Sequence, residues 1–123
     1  MNEPAFDPTD ASPEATPVQP AAVPVLPRLD PVAVFFALGS GVRLPIIRML
    51  ANGEALSVGA IAGALGRDID GVGKQLFVLR NAGVVSAAYG EDRRQTIYQI
   101  PANLRPAPGV LDVGFARIDV RQL

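Results

Sequence analysis

Between residues 30 and 83 the apolar positions recur at helical spacing, and glycines cut them into four short runs. In "DPVAVFFAL", residues 30–38, Asp30 suits a helix cap, Pro31 the first helical position and Gly39 the stop. A helix so short and so apolar is expected to be buried. The next run, "SGVRLPIIRMLANG", starts from Ser40, carries Leu44, Ile47 and Leu50 at helical spacing and ends at Gly53. Pro45 lies within it and lacks a backbone donor, so an irregular first turn is expected. Ser57 caps a third run whose Val58, Ile61 and Leu65 form one stripe that Gly66 terminates. Gly59 and Gly63 each weaken that helix by about 1 kcal/mol relative to alanine, a deficit that packing has to offset. For the fourth run either Asp68 or Asp70 is the cap, Ile69, Val72, Leu76 and Leu79 make the inner face, and Gly83 closes the helix.

After Gly83 the period changes. "VVSAAY" and "QTIYQI" read as strands separated by "GEDRR", a hairpin whose loop tip presents Arg93 and Arg94 and whose second strand ends at Pro101. The segment "VLDVGFARIDV", residues 110–120, alternates loosely after an "RPAPG" turn and is expected to add one strand or to serve in dimer formation. Short helices followed by a wing define the expected fold class. It is mainly α with a small β wing (α+β), a winged helix-turn-helix of three to four helices and a two- or three-stranded antiparallel sheet.

Composition divides the chain. Residues 1–27 hold seven prolines, the acidic Glu3, Asp7, Asp10 and Glu14, and no basic residue, which predicts a disordered proline-rich acidic arm. Such an arm serves as a spacer or, through a PxxP spacing such as Pro17 to Pro20, as a ligand for a protein partner. The chain as a whole is close to neutral, with 11 basic and 12 acidic residues. Residues 28–123, expected to form the winged helix-turn-helix domain with its C-terminal strand-like extension, hold 11 basic and 8 acidic groups, a net of +3. With no cysteine and no histidine, the chain has no disulfide, no thiolate or imidazole ligand and no usual general base. No enzyme activity, metal or other cofactor is expected. The absence of any apolar run near the ~18 residues of a membrane span, with an acidic start, predicts a cytoplasmic protein without a membrane partner.

The stretch "FFALGSGVRLPIIRMLANGEALSVGAIAGALGRDIDGVGKQLFVLRNAGVV", followed by "IYQI", resembles the ArsR-type bacterial transcriptional regulators over about half of the chain. "LFVLRNAGVV" is similar to the end of that family's recognition helix and its passage into the wing, and "RLPIIRML" to its second helix. The resemblance implies a homodimer that sets one recognition helix from each subunit into successive major grooves of double-stranded DNA, usually as a repressor released by an effector. Many such proteins sense metals through cysteine, histidine and carboxylate ligands, a pattern from which this chain departs.

The outer face of the fourth helix then carries Gly71, Lys74, Gln75 and Val78, flanked by Asp70 and Gly73. Lys74 can meet a guanine or a phosphate and Gln75 an adenine edge, or both can simply be solvated. Gly71 and Gly73 stand where the resembling proteins often carry hydroxyl side chains; they remove contacts yet allow close backbone approach. Asp68 and Asp70 suit a helix start and also repel phosphate. Arg93 and Arg94 can follow a phosphate backbone or enter a minor groove, unless Glu91 and Asp92 neutralise them. Further phosphate contacts are open to Arg43, Arg48 and Arg80. Tyr89 and Tyr98 are expected to pack on the helices, and Phe35 and Phe36 in the core or at a dimer interface. The expected DNA-binding residues are therefore Gly71, Gly73, Lys74, Gln75, Arg93 and Arg94. The alternative is a winged-helix module for protein interaction or dimerisation with weak or no DNA binding.

Overall fold

Each helix begins where the sequence supplies a side-chain oxygen for its free amides. The computed structural model describes residues 28–123 apart from Arg93, so the expectations for the 1–27 arm and for the Arg93 side chain lie outside the described residues. Helix α1 spans Pro31–Leu38, and the Asp30 carboxylate accepts the Ala33 amide at 3.0 Å. Ahead of α2, Arg43–Leu50, the Ser40 hydroxyl accepts the amides of Val42 and Arg43, each at 3.2 Å. Pro45 falls on the third residue of α2, where an amide has no intrahelical acceptor, so the proline removes no helical bond. The irregularity expected there is confined to the turn before the helix. Ser57 caps α3, Val58–Leu65, through the Ala60 amide at 3.1 Å, and Asp68 caps α4, Ile69–Asn81, through the Gly71 amide at 3.0 Å.

The helices meet around Ile46, Ile47 and Leu50 of α2, Ile61 of α3, and Leu76 and Leu79 of α4, all without exposure. At the end of α4, Gly83 takes a φ of +84°, which calls for glycine, and any side chain there would also have to displace a Leu29 methyl 2.6 Å away. Two expectations for the core need correction. Helix α1 is not buried as a whole: Val34, Ala37 and Leu38 are, but Val32, Phe35 and Phe36 are 76, 53 and 68% exposed. An eight-residue helix that is apolar on every side can turn only one side inward. Ile69, expected on the inner face of α4, is 54% exposed because the corner from Arg67 to Gly71 stands entirely at the surface.

Three antiparallel strands, β1 (Leu56–Ser57), β2 (Ser86–Tyr89) and β3 (Thr96–Gln99), form the wing sheet in the order β1-β3-β2. Tyr98 is central, opposite Leu56 on one side and Ala87 on the other, and it packs half-buried against the core. Tyr89, expected to pack on the helices, is 75% exposed at the loop end of β2, where it pairs with Thr96. Among the described residues no single helix is long and apolar enough to cross a membrane.

The C-terminal segment is a second hairpin rather than one strand. Strands β4 (Val110–Asp112) and β5 (Arg117–Asp119) pair Leu111 with Ile118, and the chain reverses through Gly114 at a φ of +97°. Alternation across residues 110–120 conceals this glycine break. Leu111, Val113 and Val120 from this segment are buried in the same core as α2 and α4. Salt bridges of 3.0 Å between Arg117 and Asp112 and 2.9 Å between Arg121 and Asp119 stay within the segment. The Gly114 amide and then the Arg117 guanidinium hold the Asp112 carboxyl below its ordinary value.

Because Leu111 is fully buried, Leu111→Ala should cost about 2–5 kcal/mol, read as a lowered midpoint in urea unfolding. A loss under about 0.5 kcal/mol would show that the hairpin is appended to the core rather than part of it.

Candidate nucleic-acid interface

The corner between α3 and α4 fixes the angle of the helix that would read a duplex. Gly66 adopts a left-handed φ of +65°, and the Arg67 amide returns to the Ala62 carbonyl at 2.9 Å, which ends α3 within one residue. Asp68 then starts α4, with Asp70 in its first turn. The Asp68 carboxylate is thus turned onto the Gly71 amide, where it compensates the positive end of the helix.

Burial of Val72, Leu76 and Leu79 decides which side of α4 faces outward. Gly71, Lys74 and Phe77 are exposed, while Gln75 is half-buried. Val78, placed on the outer face by the sequence, packs half-buried against the core instead. Lys74 borders a shallow recess between the outer side of α4 and the start of α3, shared with Val58, Ile69, Gly73 and Phe77. Phe77 is 62% exposed and was not anticipated, since the run "LFVL" hides which of its apolar residues leave the inner stripe. The available signal was its offset from the Val72, Leu76 and Leu79 spacing.

Neither recognition-helix glycine is required by crowding. A Cβ at Gly71 would lie 3.8 Å from the Asp68 carboxylate, and one at Gly73 4.0 Å from a Val58 methyl, both ordinary contacts. The two glycines also keep helical geometry with negative φ.

Gln75 is held by a residue 32 positions earlier. Arg43 donates from Nη1 to Gln75 Oε1 at 2.8 Å, from Nε to the Ala37 carbonyl at 2.6 Å and from Nη2 to the Phe36 carbonyl at 3.1 Å. Its guanidinium also lies 5.4 Å from the centre of the Phe36 ring. Bidentate pairing to adenine uses both the oxygen and the nitrogen of the glutamine amide, and here the oxygen already accepts from Arg43 with one of its two lone pairs. Arg43 is itself committed to this junction, and Arg48 donates to the Leu123 carbonyl, whereas Arg80 is exposed in the last turn of α4.

On the wing, the Arg94 side chain is 92% exposed, with Nε 3.3 Å from Asp92 Oδ1. An exposed pair of this kind contributes little and opens readily. The wing is joined to the helices through β1, which runs directly into α3 and pairs with β3. Among the described residues no group of three acidic side chains is arranged to hold a metal ion.

No protein-family model matches the chain, and no curated protein matches it either. Solved structures do. HlyU from Vibrio cholerae is 28% identical, with 56% of this chain and 72% of that one covered at a TM-score of 0.51. BigR from Xylella fastidiosa, a transcriptional repressor, is 26% identical over 57% of this chain and 68% of its own, with a TM-score of 0.50. Mb0332 from Mycobacterium bovis, described as a homodimeric winged helix-turn-helix DNA-binding domain and a possible ArsR-family regulator, is 30% identical. That match covers 61% of this chain and 68% of the Mb0332 domain, with a TM-score of 0.54. The capped helix pair, the wing and these relatives together define a winged helix-turn-helix protein. The chain belongs to the ArsR family.

Because a Cβ at either glycine would make only ordinary contacts, Gly71→Ala combined with Gly73→Ala has a definite expected effect. Each should stabilise α4 by about 1 kcal/mol, raising Tm by roughly 4–8 °C per kcal/mol for a domain of this size, measurable by circular dichroism. A lowered Tm would mean that the helix surface is more tightly covered than the distances at Gly71 and Gly73 imply.

Proposed function

We infer that the chain is a DNA-binding transcriptional regulator that works as a homodimer. The observation that carries this reading is a capped α3–α4 corner that buries one stripe of α4 and leaves Gly71, Lys74 and Phe77 outward, in a chain of the ArsR family. Lys74 is the candidate for a guanine edge or a phosphate, and exposed Phe77 beside it suits the methyl group of thymine. Exposed Gly71 leaves the helix backbone open to a phosphate or base edge, while half-buried Gly73 beside Val58 leaves it only partly so. Arg94 in the loop between β2 and β3, together with Arg93 before it in the sequence, supplies the electrostatic contact, Arg94 by exchanging its exposed pairing with Asp92 for a phosphate.

The exposed apolar side of α1 supports the homodimer. Val32, Phe35 and Phe36 lie open on it, Phe35 meets Phe115 of the C-terminal hairpin edge-on at 5.7 Å, and Leu123 is also exposed. A second copy of the same chain is the occupant favoured by the homodimeric Mb0332 domain.

Titration of a duplex carrying two half-sites across a salt series tests the DNA contacts. Arg93→Ala with Arg94→Ala should reduce the slope of log affinity against log salt by up to about 2, and Lys74→Ala should cost about 1–3 kcal/mol if it reads a base. Unchanged affinity and slope in both variants would reject these contacts. For the dimer, Val32→Glu should shift the sedimenting species from two chains to one without loss of helical signal, because Val32 is 76% exposed within one chain. A dimer that persists in this variant would exclude the α1 face.

A further inference from the structure

We propose that α4 selects its operator by apolar contact, Ile69 and Phe77 touching the C5 methyl groups of two thymines about three to four base pairs apart in each half-site. The inference rests on the DNA-binding reading above and deepens it: Ile69 joins Phe77, and the distance between them sets the spacing of the bases.

Among the described residues, the large apolar side chains left exposed away from α1 and Leu123 are Tyr89 on the wing and Ile69 and Phe77 on α4. Both α4 residues are more than half exposed, although the same helix buries Val72, Leu76 and Leu79. Ile69, Gly73 and Phe77 follow one another at intervals of four residues and so lie along one side of the helix. All three line the shallow recess completed by Val58, Val78, Asp70 and Lys74. Gly73 puts no side chain between the two apolar ones. Eight residues at about 1.5 Å each separate Ile69 from Phe77 by about 12 Å along the axis, against about 3.4 Å per base pair.

In the major groove the thymine methyl is the apolar feature of the base edges, and the other groups there are donors and acceptors. An isoleucine or phenylalanine set against those groups would strip their water and return no bond, whereas against a methyl both sides gain by losing water. Asp70 and Lys74, both exposed, bring one negative and one positive charge to the recess, so their formal charges cancel and the apolar side chains are left to discriminate. Asp70 can accept from a cytosine amino group and Lys74 can donate to guanine, but neither distinguishes thymine from uracil. A protein partner fits less well. An ordinary protein interface takes about 800 Å² from each side, far more than two side chains and a glycine provide.

The full-length protein would first select duplexes from a randomised pool. In the best of them each thymine is then replaced in turn, in both half-sites, by deoxyuridine, which lacks only the C5 methyl. Two positions about three to four base pairs apart should each weaken binding about three- to tenfold, with the salt slope unchanged because no charge is removed. Ile69→Ala should abolish the uracil effect at one of these positions and Phe77→Ala at the other, each leaving its neighbour's effect in place. A wild type indifferent to every uracil, a uracil response that survives in both variants, or selected sequences without thymines at this spacing would each overturn the proposal. Should either variant fail to fold, the uracil series on wild type decides alone. If wild type selected no duplex even at low salt, the DNA-binding reading would fall first and this inference with it, leaving the recess to a protein partner.

Discussion

Everything outward on α4 depends on three side chains pointing inward. Val72, Leu76 and Leu79 occupy one narrow stripe of the helix and are essentially without exposure, and the Leu29 side chain closes over Gly83 at the helix end. A rotation of α4 that brought Gln75 fully to the surface would pull this stripe from Ile46, Ile47 and Leu50. Losing even one fully buried leucine from such a contact costs about 2–5 kcal/mol, a large share of the stability of a small domain. Core packing thus fixes the azimuth of the candidate reading helix, and polar contacts refine it.

The corner and the caps act in the same direction. Helices of eight residues are too short to hold together by propensity alone, and α3 carries two glycines within that length. Ser57 and Asp68 each satisfy one free amide, and Gly66 permits the reversal that lets α4 start three residues beyond its own position. Asp68 therefore serves the fold by the same property that would oppose a phosphate. Its negative charge is partly offset by the helix start it caps, so the fold and a duplex partner make demands on it that conflict less than the sequence suggests.

Local signals made most of the fold legible. The caps at Asp30 and Ser57, the choice of Asp68 or Asp70 that the structure resolves to Asp68, and the stops at Gly39, Gly66 and Gly83 locate three helices to within about two residues, because capping is decided within four positions. What escaped depends on distant residues. Two-residue β1 exists only because Leu56 and Ser57 find Tyr98 and Ile97 some forty positions on, and no periodicity can be seen in two residues. Alternation in residues 110–120 cannot reveal that Gly114 folds them onto themselves. Exposure of Phe35 and Phe36 follows from how few elements surround α1, which hydrophobicity does not encode. The residue types of the candidate site were visible, but the bond between Arg43 and Gln75 was not, since either residue alone reads as an ordinary solvated side chain.

That bond also bears on how positive the surface can be. Several of the cations that give residues 28–123 their net charge are paired: Arg94, Arg117 and Arg121 each bond a nearby aspartate, while Arg43 and Arg48 donate to backbone carbonyls, which fixes their positions but leaves their charge. On α4 and its corner this leaves Arg67, Lys74 and Arg80, set against Asp68 and Asp70, a local surplus of a single charge. Counterion release scales with the number of phosphates neutralised, so so small a surplus cannot by itself supply strong association. Affinity on such a surface has to come from donors held in place before the partner arrives, because a fixed donor loses less entropy on binding than a free one. A glutamine amide held by arginine and an aspartate turned onto its own helix are the fixed groups that the proposed interface would rely on.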